Sequence, residues 1–495
     1  MSFTPRARPT RLLALSALSL SMAWVGTAKA DGGYYAGVKG ARAAGRAGAF
    51  TAKADDVSAV SINPAGLANV GTTMIQVGNR FSYNEHTFTR NPTLDWRDTD
   101  SPPYVTFPEV KNKAPWQVLD PLIGIATNFG LKDWGFAFAV YSPAGVARES
   151  YGQEGGQRYM MVRRNAQLID YSLSAAWKFK DIFGVGASVV WIAVPTLDYS
   201  LIVNASPFAH QNATGVAGEY DMYASVHGHD YFTLNAIVGG WFKVAPFLEL
   251  GLSGQVVPST IETESKIDIA PTSASSEPVK LSRNGQPAND VGLALALPMT
   301  FRLGARYIHH QGKRELFDIE LDTVLETWSR VKSFHLDSRD LVATSAGETV
   351  PFADIDVQKQ WQTTVGLHLG GDLNLVPDRL TARGGVYYET PVAKPAYTNI
   401  DFADRKQLDF ALDGSVHVSK LEIAFAYEYR AQPTIRVSDA NARVYQSAPA
   451  SRCAAPYTDA AQCNANYIGR PSAPANGGEY FAYSHIMSLD GVYRF

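Results

Sequence analysis

From about Thr73 to the C-terminus one pattern recurs fourteen times: a run in which every second residue is apolar, the period of a β-strand with one greasy and one polar face. Between Arg314 and about Thr327, Phe317, Ile319, Leu321, Thr323 and Leu325 fall on one face, and Asp318, Glu320, Asp322 and Glu326 on the other. Leu293, Leu295, Leu297, Met299, Phe301, Leu303 and Tyr307 line one face of the preceding run, and Leu408, Phe410, Leu412, Val416 and Val418 do so in a later one. The runs begin near Thr73, Leu119, Asp133, Gln167, Gly184, Asp230, Pro246, Val291, Arg314, Gln358, Asp378, Lys406, Lys420 and Tyr480. An even number of such strands restricts the fold sharply.

The connections restrict it further, because they alternate in length. Residues 86–118, 143–166, 202–228 and 262–288 are long, whereas 129–132, 180–183, 243–245 and 310–313 are short. Long loops at one end and tight turns at the other are how an outer-membrane barrel is built. A soluble β-sandwich also alternates, but many runs here reach the ~9–11 residues that cross a bilayer at a tilt. The polar face carries Arg302, Arg306, Asp318, Glu320, Asp322, Arg383, Asp409, Glu422 and Arg430, charges too costly for a dry sandwich core and suited to a hydrated lumen. The expected fold is all-β: a 14-stranded antiparallel transmembrane barrel spanning 73–495. Beyond the first 30 residues there is no long uninterrupted apolar run, which excludes a helical membrane protein.

Both ends of the chain agree with export. Arg6, Arg8 and Arg11 precede the apolar Leu12–Val25 stretch, and Ala28-Lys29-Ala30 offers small residues to a signal peptidase, so residues 1–30 read as a cleaved signal peptide. Removing Arg6, Arg8, Arg11 and Lys29 from the 44 basic residues leaves 40 against 47 acidic ones, a net charge of −7 that gives no reason to bind nucleic acid. At the other end, Tyr493 and Phe495 share the apolar face, resembling the terminal strand signal by which such barrels are recognised for assembly. Cys453 and Cys463 lie in an Ala/Pro/Asn-rich stretch with an oxidising destination and read as a short-loop disulfide; further metal ligands are not seen beside them.

Residues 31–72 differ in kind. The run Gly37–Phe50 is rich in small residues, and Asp55-Asp56-Val57-Ser58 precedes Ile62-Asn63-Pro64-Ala65-Gly66-Leu67. Small residues allow close backbone packing in a confined space, and Asp56 or Ser58 would cap a short helix ending before Asn63-Pro64. A dinucleotide loop is ruled out because no strand precedes the glycines. The segment therefore reads as a plug in the lumen, either a moving one or a filler that only stabilises the wall.

The residues Gly40, Arg42, Gly45, Arg46, Gly48, Phe50, Asp55-Asp56 and Asn63-Pro64-Ala65-Gly66-Leu67 resemble the N-terminal hatch of the FadL-type outer-membrane transporters of long-chain fatty acids, whose relatives pass toluene and other aromatic hydrocarbons. Tyr141-Ser142-Pro143-Ala144-Gly145, Leu297-Pro298 before Leu303-Gly304-Ala305-Arg306-Tyr307, and Thr327-Trp328-Ser329 continue the resemblance over essentially the whole mature chain. It implies passive uptake: capture between loops, movement of the hatch, and lateral release through a kinked third strand into the membrane. On this chain Asn63, Pro64 and Ala65 would form the hatch turn. Asp133–Ser142 would be the kinked strand, with Gly135, Ala137 and Ala139 as its small inner face. Arg302, Arg306 and Arg383 face the lumen by period. Loops 202–228 and 262–288 are polar, unlike a greasy capture groove.

The resulting expectation is a monomeric channel in the outer membrane of a Gram-negative bacterium that uses no cofactor. Its partners would be a hydrophobic small molecule, outer-membrane lipid and lipopolysaccharide, and the barrel assembly machinery. Fatty acids and aromatic hydrocarbons are not separated by the sequence. Two other classes compete: a structural or adhesion barrel, and an outer-membrane hydrolase, for which His227-Gly228-His229-Asp230 is the one histidine cluster carrying an acid.

Overall fold

The computed structural model describes residues 39–94, 104–143, 148–204, 221–272, 278–345, 348–352, 354–402, 405–444 and 474–495. The signal peptide and both cysteines, Cys453 and Cys463, lie outside these residues.

Fourteen antiparallel strands close into one barrel. In chain order they are β1 (Met74–Arg90), β2 (Pro121–Thr127), β3 (Trp134–Tyr141), β4 (Arg163–Phe179), β5 (Phe183–Asn204), β6 (Asp221–Ala245) and β7 (Leu248–Gln255 continued by Thr260–Pro271). They continue with β8 (Asp290–Ala296 and Thr300–Gln311), β9 (Arg314–Glu326 and Ser333–Asp337), β10 (Ile355–Gln358 and Thr364–Val376), β11 (Leu380–Glu389), β12 (Gln407–Val418), β13 (Leu421–Val437) and β14 (Gly478–Arg494). The ring is shut by β1 on β14, paired from Met74↔Arg494 to Arg90↔Gly478, so no edge is left open. Tight turns join one end; the β4–β5 turn, for instance, places Lys180 and Asp181 at φ 50° and 52°.

The alternation sorts the strands as their sequence implies. Leu303 and Leu412 are 60% and 68% exposed on the outer wall, while Asp318, Glu320 and Asp322 are buried inside. An apolar outer band around a polar interior is the arrangement a bilayer requires. Among the described residues no helix is long and apolar enough to cross a membrane.

Two expectations change. Loops 202–228 and 262–288 begin or end as strand: β6 starts at Asp221 and β7 runs to Pro271, because the hairpins continue well above the apolar band. Part of the same extension is a four-stranded sheet of Lys280–Arg283, Gln286–Pro287, Val342–Ser345 and Glu348–Pro351. Secondly, Leu295 and Leu297 do not share the outer face of Phe301 and Leu303; they are buried inside. The strand breaks at Leu297-Pro298-Met299, where proline cannot donate to the ladder, and the parity of inward and outward residues inverts across the break.

The lumen holds the N-terminal segment, hereafter the hatch. Its elements are α1 (Ala41–Gly45), α2 (Ala59–Ile62) and a 3₁₀ turn (Pro64–Asn69). Asp56 accepts from the Ser58 amide (2.9 Å) at the start of α2, and Asn63 caps the 3₁₀ turn by accepting from the Ala65 amide (3.2 Å). Apolar packing joins Phe50, Val57 and Leu67 to Leu122, Ala139 and Val492 of the wall. Contact is closest at wall glycines: a Cβ on Gly135 would lie 2.1 Å from the Leu67 carbonyl oxygen, and one on Gly370 2.2 Å from that of Arg46.

Candidate functional site: hatch clamp, aromatic chamber and lumen cavities

Charge fixes the hatch to the wall. Arg46, fully buried, donates to Asp318 (2.6 Å) and Glu320 (2.9 Å) of β9, to Asp372 of β10, and through Nε to the Ala49 carbonyl (2.7 Å). Lys53 joins Asp318 at 2.8 Å, and Arg42 reaches Asp55 and Asp56 at 2.9 and 3.0 Å. Hatch amides complete the clamp: those of Phe50 and Thr51 both donate to Asp322 at 2.9 Å, and that of Ala41 to Asp490 at 2.8 Å. Burial alone would push the Asp55 carboxyl up, but the Arg42 and Lys53 charges outweigh it and hold it down at about 2. Burial likewise disfavours the Arg46 guanidinium, yet its surrounding carboxylates raise its pKa above the usual range.

Beyond the hatch the wall is interrupted repeatedly: β7 at 256–259, β8 at 297–299, β9 at 327–332 and β10 at 359–363, while β5 shifts register around Pro195 against both neighbours. Segments freed by these breaks turn inward and pack into an apolar cluster filled by its own side chains, hereafter the chamber. Its walls include Val190 and Ile192 of β5, Ile237 of β6, Ile261 of β7 and Leu297. An aromatic cage lies within it: Trp328–Trp361, Phe334–Phe402, Phe334–Trp361 and Trp361–Phe402 meet edge-to-face at 5.2, 5.6, 5.8 and 6.0 Å. At one end two cations are brought to the rings. Lys359, fully buried, pairs with Asp401 and lies 4.7 Å from the Phe334 ring, and the Arg164 guanidinium lies 4.3 Å over Phe402.

Two small cavities lie beside the hatch, and the first also reaches the chamber. One, of about 50 Å³, touches Ile237 of the chamber, Ile62 of the hatch, Tyr141 and Pro143 at the end of β3, Asp170 of β4, and Arg302. The other, of about 40 Å³, lies between Arg302, Arg80, Glu389 and Glu428. Both are well below the ~150 Å³ that admits a benzene ring, so neither holds one as it stands.

The sequence-derived candidates separate clearly. Asn63 is buried, and its Nδ2 donates to the carbonyls of Thr51 (2.8 Å) and Gly240 (3.0 Å); Pro64 and Ala65 follow at the start of the 3₁₀ turn, against Gly186 of the wall. Gly135, Ala137 and Ala139 face the hatch and pack on it. From Phe136 to Tyr141 β3 pairs with β2, and from Trp134 to Tyr141 with β4, without a register shift. Among the described residues its pairing with β4 runs to Tyr141↔Asp170 and is next seen at Glu149↔Arg164. In that interval Ser142 Oγ donates to the Leu168 carbonyl (2.9 Å). Arg306 and Arg383 are spent on the clamp: Arg306 binds Glu249 (2.9 Å) and Asp318 (2.8 Å), and Arg383 binds Asp372 and Glu422 (both 3.1 Å). Arg302 has no such partner among the described residues. His227 and His229 each meet a separate acid, Asp198 at 2.9 Å and Glu264 at 3.8 Å, and do not converge.

Sequence reasoning missed the chamber cations and most of the cage. Trp328 stood in a recognised motif, but Lys359, Trp361 and Phe402 lie in irregular segments where periodicity carries no signal.

The family model described as outer membrane protein transport protein (OMPP1/FadL/TodX) matches residues 22–467. Among solved structures, a Pseudomonas aeruginosa FadL homologue superposes with a TM-score of 0.67 at 15% identity, covering 94% of this chain and 100% of its own. The toluene transporter TbuX of Ralstonia pickettii gives 0.57 at 13% identity, covering 93% and 99%, and TodX of Pseudomonas putida 0.56 at 14%, covering 89% and 94%. At these identities the likeness is one of fold. No curated protein sequence matches the chain.

Proposed function

The chain belongs to the outer-membrane transport family of FadL and TodX, channels for hydrophobic compounds in the Gram-negative outer membrane, and from that premise we propose that it takes up long-chain fatty acids passively. The observation that carries the choice of cargo is Lys359, a fully buried ammonium held by Asp401 at the edge of an aromatic chamber. A buried cation needs a carboxylate partner, and an incoming fatty acid can share Lys359 with Asp401, which keeps the Tyr199 hydroxyl as a donor (3.2 Å), while its chain displaces chamber side chains. A neutral ring could meet the charge only through its face, as Phe334 and Phe402 already do. The cage itself favours a second reading, aromatic hydrocarbons, since four edge-to-face rings also suit an aromatic guest.

Transit follows from the filled chamber. Loops part, ligand enters the chamber, the hatch shifts about Asn63-Pro64-Ala65, and ligand leaves sideways on the β3–β4 side of the barrel, past Gly135, Ala137 and Ala139. The protein acts as a monomer without cofactor or catalysis. The apolar outer band and the Tyr493–Phe495 end support contact with membrane lipid, lipopolysaccharide and the assembly machinery. The disulfide Cys453–Cys463 is part of the same reading.

The test is binding to the refolded protein, read by quenching of tryptophan fluorescence. Oleate is expected to bind more tightly than methyl oleate, and Lys359→Met to remove that difference. Tight binding of toluene with none of oleate would overturn the fatty-acid reading in favour of the aromatic one.

A further inference from the structure

We propose that Arg302 is a second carboxylate station, placed between the chamber and the side of the barrel, which passes the head group of an acidic ligand toward the wall. The proposal rests on the chamber's preference for acids and adds a residue on the route out of it.

Of the three lumen arginines Arg302, Arg306 and Arg383 singled out from strand period, the hatch clamp consumes two. Arg306 and Arg383 each contact at least three carboxylates. Arg302 makes no ion pair and no side-chain hydrogen bond with any described residue, although it lies on the same inner face one turn of alternation away from Gly304 and Arg306. A guanidinium has five donors in a rigid fork that matches a carboxylate. Without a partner among the described residues, it is free to receive an anion inside the barrel.

Its position supplies the route. Arg302 borders both lumen cavities. The larger touches Ile237, a chamber wall residue, on one side, and Tyr141, Pro143 and Asp170 of the β3–β4 side of the barrel on the other. A head group released by Lys359 therefore meets Arg302 on its way to that side. At about 50 Å³ the cavity takes a group of carboxylate size and no ring, so the head must lead and the tail follow.

The acids in this cavity do not pre-empt the site. Glu326 accepts from Trp328 Nε1 (2.7 Å) and Thr300 Oγ1 (3.4 Å), and neither Glu326 nor Asp170 is within ion-pair distance of Arg302. Lys39, the other cation there, is paired with Asp120 at 3.3 Å. Glu326 also joins the cavity to the chamber, because the indole it holds belongs to the aromatic cage.

The experiment compares the full-length protein with Arg302→Gln and Arg302→Lys in Gram-negative cells lacking their own channel of this family. Initial uptake of labelled oleate, methyl oleate and toluene is measured, together with oleate affinity of the purified proteins. Arg302→Gln is expected to slow oleate uptake about tenfold, equivalent to about 1.4 kcal/mol, while oleate affinity and uptake of both neutral compounds stay at wild-type values. Arg302→Lys is expected to restore most of the rate. Equal slowing of acid and neutral compounds would assign Arg302 to the barrel's architecture and overturn the station. Unchanged oleate uptake in Arg302→Gln would overturn it while leaving the chamber reading intact. If the wild-type protein does not prefer oleate to its ester, the chamber reading falls and the station with it.

Discussion

Replacing Arg46 by Met should release the hatch while leaving the barrel standing. The substitution keeps an unbranched side chain in a fully buried site but removes the charge that joins Asp318, Glu320 and Asp372. Breaking one buried pair costs about 3–5 kcal/mol because the surviving charge is left uncompensated. Here three carboxylates lose a shared partner, and Lys53 at 2.8 Å from Asp318 compensates only part of the loss. At about 1.4 kcal/mol per tenfold, the open population of the hatch should rise by roughly two to three and a half orders of magnitude. The barrel's ladder does not depend on Arg46, so its unfolding temperature should change little. The assay is amide exchange at Phe50, Thr51 and Ala52, whose N–H groups donate to Asp322 and Glu320 and have no other shelter than the docked hatch. They should exchange faster by that factor, and current across a planar bilayer should show new openings. Adding Glu320→Gln, which removes one orphaned charge, should recover part of the protection. If the three amides exchange at wild-type rates in Arg46→Met, the ion cluster does not hold the hatch and the argument is refuted.

Further changes probe the rest of the passage. Asn63→Ala removes donors to Thr51 and Gly240 and should cost about 1–3 kcal/mol of hatch docking; uptake should change while the heat-dependent gel shift of the folded barrel persists. Gly135→Val drives a Cβ to 2.1 Å from the Leu67 carbonyl, so the 3₁₀ turn must withdraw, and bilayer conductance should increase. Trp361→Ala empties the centre of the cage at a cost of about 3–5 kcal/mol; thermal melting should register that cost and toluene binding should change. Asp55 has a folded-state pKa of about 2, below its ordinary 3.8, so its contribution to docking is full above the ordinary value and lost as pH falls toward the lower one. Pepsin should accordingly begin to cut the hatch only in the most acidic part of that range, and cutting at pH 5 would contradict this.

Most of the wall could be read from periodicity, because a strand between lipid and water must alternate and nothing local competes with that demand. The parity failed at Leu295 and Leu297, where Pro298 breaks the ladder and exchanges the two faces. The same parity placed Arg302, Arg306 and Arg383 in the lumen but could not tell a spent arginine from one without a partner among the described residues, since the partners of the spent ones lie on β7, β9, β10, β12 and β13. Lys359 and Phe402 were out of reach for a different reason. They enter the chamber from irregular segments, so their role depends on where breaks in several strands bring the chain, and no short-range pattern records it.

The wall glycines carry a consequence for how this protein can change over time. Taken along the hatch, Arg46 lies against Gly370 and Gly385, Thr51 against Gly251, Asn63 against Gly239, Pro64 against Gly186, and Leu67 against Gly135. The hatch thus travels around the circumference from β11 and β10 through β7, β6 and β5 to β3, and each step fits one notch. Like a zip, such a seam tolerates substitution at a single tooth better than a change in the number of teeth. Inserting one residue between Thr51 and Asn63 would put every later contact out of step, whereas a similar insertion in an external loop would disturb none of them. Length, rather than side-chain identity, is the property the hatch can least afford to vary.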